Sequence, residues 1–372
     1  MMKKGFAKLV VAVVLLFSLL ASNSTVYADG PKVSYINKNG IVITYEDQTR
    51  LEGIGFDKED IDNMTQEEYD ENKGVYAEST SRKEVYIKTV YTYADENSVS
   101  DENAIPISTQ SYELDEPTFE KDLALDKLYS SKDPIYTSRP DLAPVYSSDV
   151  KDTNDLNIPS SVVADEPNLI GISSDSPDAK NSSSDYKTLT IDIAKKSNGK
   201  YLLKSTMKWK KMPKNRGKDL YAIGYSNSDN DYARINSSVV GKQHYVAYTM
   251  TKSKSDTFTY TLADDPNTFT LSSSGVVVMQ DLKNNWDNYK VAELTQSLKF
   301  DIEVDGGINT NWVTTEAGYK HRTADEGSIS VSDVTVSFGG GSSGVDGSLS
   351  VTLKKDKTKY DGLYKVFWQQ RR

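Results

Sequence analysis

The chain has 372 residues, with 54 acidic and 44 basic side chains, a net charge of −10, two histidines and no cysteine. That composition excludes disulfides and a cysteine-borne lipid, offers no histidine cluster for zinc, and gives no expectation of a nucleic-acid partner. Charge is unevenly divided: residues 29–180 carry 33 acids and 14 bases (−19), and residues 181–372 carry 21 acids and 27 bases (+6).

Lys3, Lys4 and Lys8 precede an apolar run from Leu9 to Leu20, and Val26 and Ala28 suit a cleavage pocket. The run falls short of the roughly 20 residues that span a bilayer, so residues 1–28 are expected to be a secretory signal peptide. Export without cystines fits a Gram-positive bacterium and a secreted or cell-surface location.

Residues 29–93 read as a small helical unit with flanking strands. A strand with an Asn39-Gly40 turn leads to Thr44, which can cap a helix ending near Gly53 and Gly55. Asp57 can cap a turn through Ile61, and Thr65 with Glu68 forms a Thr-x-x-Glu box before a helix closed by Gly74. Ile54, Phe56, Ile61, Met64 and Tyr69 would form a core too small to stand alone, so the unit should lean on something else. A strand over Val85 to Tyr93 follows.

The string Leu51 to Gly74, LEGIGFDKEDIDNMTQEEYDENKG, resembles a helical motif near the start of uncharacterised secreted proteins of Gram-positive Firmicutes. The block Gly318-Tyr319-Lys320-His321 with Tyr360-Asp361-Gly362 is similar to the distal part of some of them. The resemblance implies export and a bacterial source, and assigns no activity.

Residues 94–185 hold eight of the eleven prolines amid Ser, Asp and Asn, with one helix-like patch from Phe119 to Tyr129. So little apolar content predicts an acidic low-complexity linker or surface-hugging segment.

From residue 186 to 372 strand signals recur, separated by turn chemistry, and predict an antiparallel β-sandwich of jelly-roll or lectin-like type, making the whole mainly β. Its first hairpin is the most explicit. Leu189, Ile191 and Ile193 alternate with polar residues on one arm, and Tyr201, Leu203, Met207 and Trp209 share odd positions on the other. A three-residue loop, Ser197-Asn198-Gly199, with Gly199 left-handed, pairs Ile193 with Leu203 and keeps one face oily and the other wet; a two-residue loop would mix the faces. One helix is expected, Trp286 to Leu298, with Tyr289, Val291, Leu294 and Leu298 facing inward.

Gly340-Gly341-Ser342-Ser343-Gly344 satisfies the hydrolase elbow pattern, and Gly339, Gly341 and Gly344 the dinucleotide fingerprint. A strand rather than a helix follows, so both are rejected. Calcium candidates are Asp229 with Asp231, and Asp301, Glu303 and Asp305; otherwise no cofactor is expected.

The sharpest surface feature is the basic stretch around Trp209, Lys210, Lys211, Lys214, Arg216 and Lys218. It suits contact with an anionic envelope polymer or an anionic membrane surface; alternatively it is a solvated tip, or a partner for the chain's own acidic half. Trp286, Trp312 and Tyr319 are the expected exposed rings for stacking on sugars. The sequence thus points to a secreted, non-catalytic protein binding a glycan or envelope component. A polysaccharide-acting enzyme, a β-hairpin pore former built on Ile329 to Phe338 and Leu349 to Leu353, and a coat component are the rivals.

Overall fold

The computed structural model describes residues 33–99, 104–158, 181–214, 216–227, 233–304, 312–323, 330–340, 347–353, 360–361 and 363–371. The signal-peptide expectation, residues 159–180 of the expected linker, Asp229, Asp231, Asp305 and the turn 341–346 lie outside them, as does the Trp312 side chain. Among the described residues no helix is long and apolar enough to cross a membrane.

The N-terminal unit forms as its caps dictate. Strands β1 (Val33–Ile36) and β2 (Val42–Thr44) pair around Gly40, whose φ of 82° needs a glycine. Helix α1 (Tyr45–Gly53) starts with a reciprocal Thr44–Asp47 box, and α2 (Lys58–Asp62) with an Asp57–Asp60 box. Helix α3 (Gln66–Asn72) makes only half of its expected box: Thr65 accepts from the Glu68 amide, while the Glu68 carboxylate is drawn instead to Lys299. Ile54, Phe56, Ile61 and Met64 are buried, and the unit leans on Ala194 and Leu202.

The strands continue as β3 (Ala77–Thr92), β4 (Ser108–Leu114), β5 (Ser182–Lys196), β6 (Lys200–Lys211), β7 (Lys218–Asn227) and β8 (Ala233–Tyr248). Then come β9 (Ser253–Thr261), β10 (Phe269–Ser272), β11 (Gly275–Asp281), β12 (Lys290–Val304), β13 (Trp312–Lys320), β14 (Val334–Gly340), β15 (Gly347–Leu353) and β16 (Tyr364–Arg371). A seven-stranded antiparallel sheet has the order β4-β3-β5-β6-β12-β8-β9, and a five-stranded one β10-β11-β7-β13-β16. The two share one core, in which Leu189, Ile191, Leu203, Trp209 and Leu298 meet Tyr221, Ile223, Val276, Val278 and Ala317. The β14–β15 hairpin covers the other face of the smaller sheet through Val336, Phe338, Leu349 and Val351. Its second strand follows directly where a nucleophile elbow would need a helix.

The β5–β6 hairpin has the expected register, Ile193 opposite Leu203 and Leu189 opposite Met207, closed by Ser197, Asn198 and Gly199 with Gly199 at φ 81°. Its even-numbered face is not wet, however. Lys204 is only 3% exposed, because α1 to α3 lie over it.

Three expectations are corrected. The stretch Trp286 to Leu298 is not a helix: residues from Lys290 onward are strand β12. A bulge between Val291 and Glu293 puts Val291 and Leu294 on one face three residues apart, imitating helical spacing, and Leu294, Leu298, Phe300 and Ile302 then keep the period of two. The sandwich does not begin at Tyr186, since β3 pairs along the length of β5 and brings β4 with it. Nor is residue 94–185 mainly a linker. Besides β4 it contains α4 (Glu116–Lys132), whose Phe119 and Leu123 pack on Tyr186 and Val150, and the short α5 (Pro134–Ser138). Its apolar residues are few, but Phe119, Leu123 and Val150 close over Tyr186 of a ready-made sheet.

Candidate functional site

Two groups of charge matter, one on the outer face of the larger sheet and one inside the sandwich. Outside, Lys88, Lys196, Lys204, Lys211, Lys242 and Lys299 are buried beneath the acidic first half of the chain. Their methylene stems cover the strands while their heads meet carboxylates. Lys88 reaches Asp122 at 2.6 Å, Lys196 Asp301 at 2.8 Å and Lys211 Asp126 at 2.7 Å. Asp60 sits among Lys204, Lys242 and Lys299, at 3.3 Å from Lys242 and 3.5 Å from Lys299. Burial opposes its ionisation, and those three ammonium groups outweigh burial and hold it well below the usual carboxylate range.

Inside, at one end of the sandwich, β5 brings Asp185 and Lys187 into the core-facing register that Leu189, Ile191 and Ile193 continue. Lys187 Nζ lies 3.5 Å from Asp185 Oδ1 and 3.3 Å from Asp361 Oδ2, with Trp209, Tyr319 and Tyr364 rings around it at 4.6, 5.7 and 4.1 Å to their centroids. Asp361 Oδ1 accepts the His321 backbone N–H at 2.6 Å. Asp219 accepts from the Tyr319 hydroxyl, from the Arg322 backbone N–H at 2.9 Å and from His321 Nδ1 at 3.0 Å. Tyr91 donates to Asp185 Oδ2. Burial pushes the Asp361 carboxyl up to about 6 even though Lys187 and His321 oppose the shift. Burial disfavours a charged His321 ring, and the Asp219 carboxylate more than compensates, raising its pKa.

Tyr91, Asp185, His321 and Arg322 carry the edge of this network to a groove of about 480 Å³ between β3, the segment 141–145 and the β6–β7 connection. Five cationic side chains line it, Lys211, Lys214, Arg216, Lys290 and Arg322, against two carboxylates, Asp141 and Asp185. Tyr91, Tyr93 and Tyr136 contribute ring surface, and His321 reaches the floor.

The residues singled out from sequence are only partly brought together. Lys211, Lys214 and Arg216 line the groove, with Lys214 Nζ 5.2 Å from the Tyr93 ring and Arg216 held by Asn285 at 2.8 Å. Lys210 joins Lys208 on Asp149, at 2.7 and 2.6 Å, so this part of the basic stretch is matched by the chain's own acidic half. Lys218 is exposed at the start of β7. Trp209 and Tyr319 are wholly buried, which corrects their expected role as surface rings: their strand positions face the core. Trp286 is half-buried and stacks on Tyr289 at 5.1 Å, with Lys283 Nζ 4.6 Å from its ring. Asp301 is not open to calcium because Lys196 occupies its carboxylate.

Sequence reasoning missed Asp185, Lys187, Asp219 and Asp361. One signal was present: Asp185 and Lys187 extend the odd-numbered oily face of β5, an ionic pair where apolar residues belong.

No family model matches the chain, and no curated protein matches it. Among solved structures it is similar to AvmM, described as catalysing macrocyclization in alchivemycin A biosynthesis, at 10% identity and a TM-score of 0.21, over 45% of this chain and 79% of that one. A likeness at that score carries nothing across to this protein.

Proposed function

We propose that the chain is an exported, non-catalytic protein that binds a short segment of an anionic glycan or cell-envelope polymer in the groove at the end of its sandwich. The observation that carries this is the lining among the described residues: Lys214, Arg216, Lys290 and Arg322, with Lys211 already on Asp126, beside Asp141, Asp185 and three tyrosines. Clustered cations raise the local concentration of a polyanion, and tyrosine rings offer flat apolar surface with a polar edge. Asp149 takes up Lys208 and Lys210 outside the groove, and Asp126 takes up Lys211.

Retention of the full chain on immobilised polyphosphate-type and uronate-type polymers is the test. Binding that falls with added salt, and weakens about tenfold in a Lys214→Ser/Lys290→Ser double variant, is expected. No retention on any anionic polymer at low salt would overturn it, and retention on anionic vesicles alone would reassign the groove to lipid headgroups.

A polysaccharide-acting enzyme is the second reading, favoured by His321 at the groove floor with Nδ1 held by Asp219. Release of reducing sugar from cell-wall glycans would decide for it.

A further inference from the structure

Lys187 and Asp361 are both sealed from solvent, in a protein without cysteines. An ion pair at that depth surrenders hydration that its mutual attraction must make good, whereas a neutral amide of the same atoms does not. Each atom an amide-forming step needs is in place. The amine nitrogen is 3.3 Å from Asp361 Oδ2, in direct contact with the carboxyl group whose Cγ it would attack, the two groups being held by β5 and by the segment entering β16. The other carboxyl oxygen, Oδ1, accepts the His321 backbone N–H at 2.6 Å, the position of a donor that stabilises a developing oxyanion. A second carboxylate stands beside the amine: Asp185 Oδ1, buried and carrying no hydrogen bond, lies 3.5 Å from Nζ. The Trp209, Tyr319 and Tyr364 rings wall the place.

We propose that the folded chain joins Lys187 Nζ to Asp361 Cγ as an internal amide, with Asp185 carrying the proton. One proton passes from the Lys187 ammonium to the Asp361 carboxylate, giving an amine and a neutral acid. Burial favours the neutral form of the Asp361 carboxyl. Nζ attacks Cγ, the C–N bond forms, and negative charge gathers on Oδ1 against the His321 amide. Asp185 takes a second proton from nitrogen and delivers it to Oδ2, the C–O bond breaks, and Oδ2 leaves as water. An ammonium and a carboxylate become one amide and one water, with no oxidant, reductant or cofactor.

Intact-mass measurement of the purified full chain, with tandem mass spectrometry of a tryptic digest, tests this. The expected wild-type mass is one water, about 18 Da, below that of its N-terminally processed sequence. The digest should hold a branched peptide joining Lys187 to Asp361, uncut after Lys187. Lys187→Ala and Asp361→Ala should show full mass. So should Asp185→Ala, which keeps both bond-forming side chains and is checked for folding by circular dichroism. A folded wild-type chain with full mass after prolonged incubation at neutral pH, or a link from Lys187 to any other residue, overturns the proposal. Water loss in Asp185→Ala overturns the role given to Asp185.

Discussion

Lys187 Nζ stands 3.3 Å from Asp361 Oδ2 across 174 positions of sequence, tying strand β5 of the larger sheet to the segment leading into the last strand, β16. Covalent closure of a loop that long would restrict the unfolded chain by about 5 kcal/mol on the loop-entropy model used for disulfides. Lys187→Ala is therefore expected to lower the urea midpoint sharply. Loss of a buried ion pair would do so as well, but only a cross-linked chain keeps its loop once denatured. Wild-type protein should run faster than Lys187→Ala on a denaturing gel after boiling.

Asp60 is the shared anion of three lysines from three strands. Asp60→Ala leaves buried ammonium groups uncompensated and should cost about 3 to 5 kcal/mol. Urea unfolding measures the loss, and faster protease nicking within residues 45–74 would show the helical unit lifting from the sheet.

Acid should release the same unit. A carboxylate held below its unfolded value, here 3.8, stabilises the fold fully above that value, and the contribution disappears as pH falls toward the folded value. Stability is expected to drop steeply below about pH 4, and Asp60→Asn should flatten that limb of the pH profile.

His321 offers the opposite sign. Its folded pKa is raised, so its contribution is complete below the ordinary value of 6.5 and is lost as pH rises through the folded value. Only two histidines exist, so NMR titration can follow both. The His321 resonances should titrate above 6.5 and move down in Asp219→Asn.

The hairpin β14–β15 docks on bare backbone. A Cβ on Gly224 would come within 2.7 Å of Phe338 Cδ2, and one on Gly318 within 2.7 Å of Leu349 Cδ2. Gly224→Ala should cost about 1 to 3 kcal/mol through overpacking, read by thermal unfolding. The hairpin's apolar side is already committed to the protein, so the wild-type chain is expected to release no dye from liposomes.

Local chemistry was legible without coordinates. Asn198 and Gly199 with alternation on both sides set the hairpin register, and Thr44, Asp57 and Thr65 set three helix starts, because each depends on residues within a few positions. Where a local signal is ambiguous it failed: Val291 and Leu294 read as helical because nothing in the sequence announces a bulge.

What the sequence by itself determined is a mainly β chain with capped helices at one end and an acidic half preceding a basic one. What only the tertiary structure decided is where that charge goes. Asp57, Asp126 and Asp149 meet lysines 59 to 147 positions away, Asp60 meets lysines 144 to 239 positions away, and Lys187 meets Asp361 across 174. Periodicity says which face of a strand a lysine occupies, but the cover that turns a wet face into a buried one comes from another part of the chain. Only folding brings that cover and its carboxylates to the lysine.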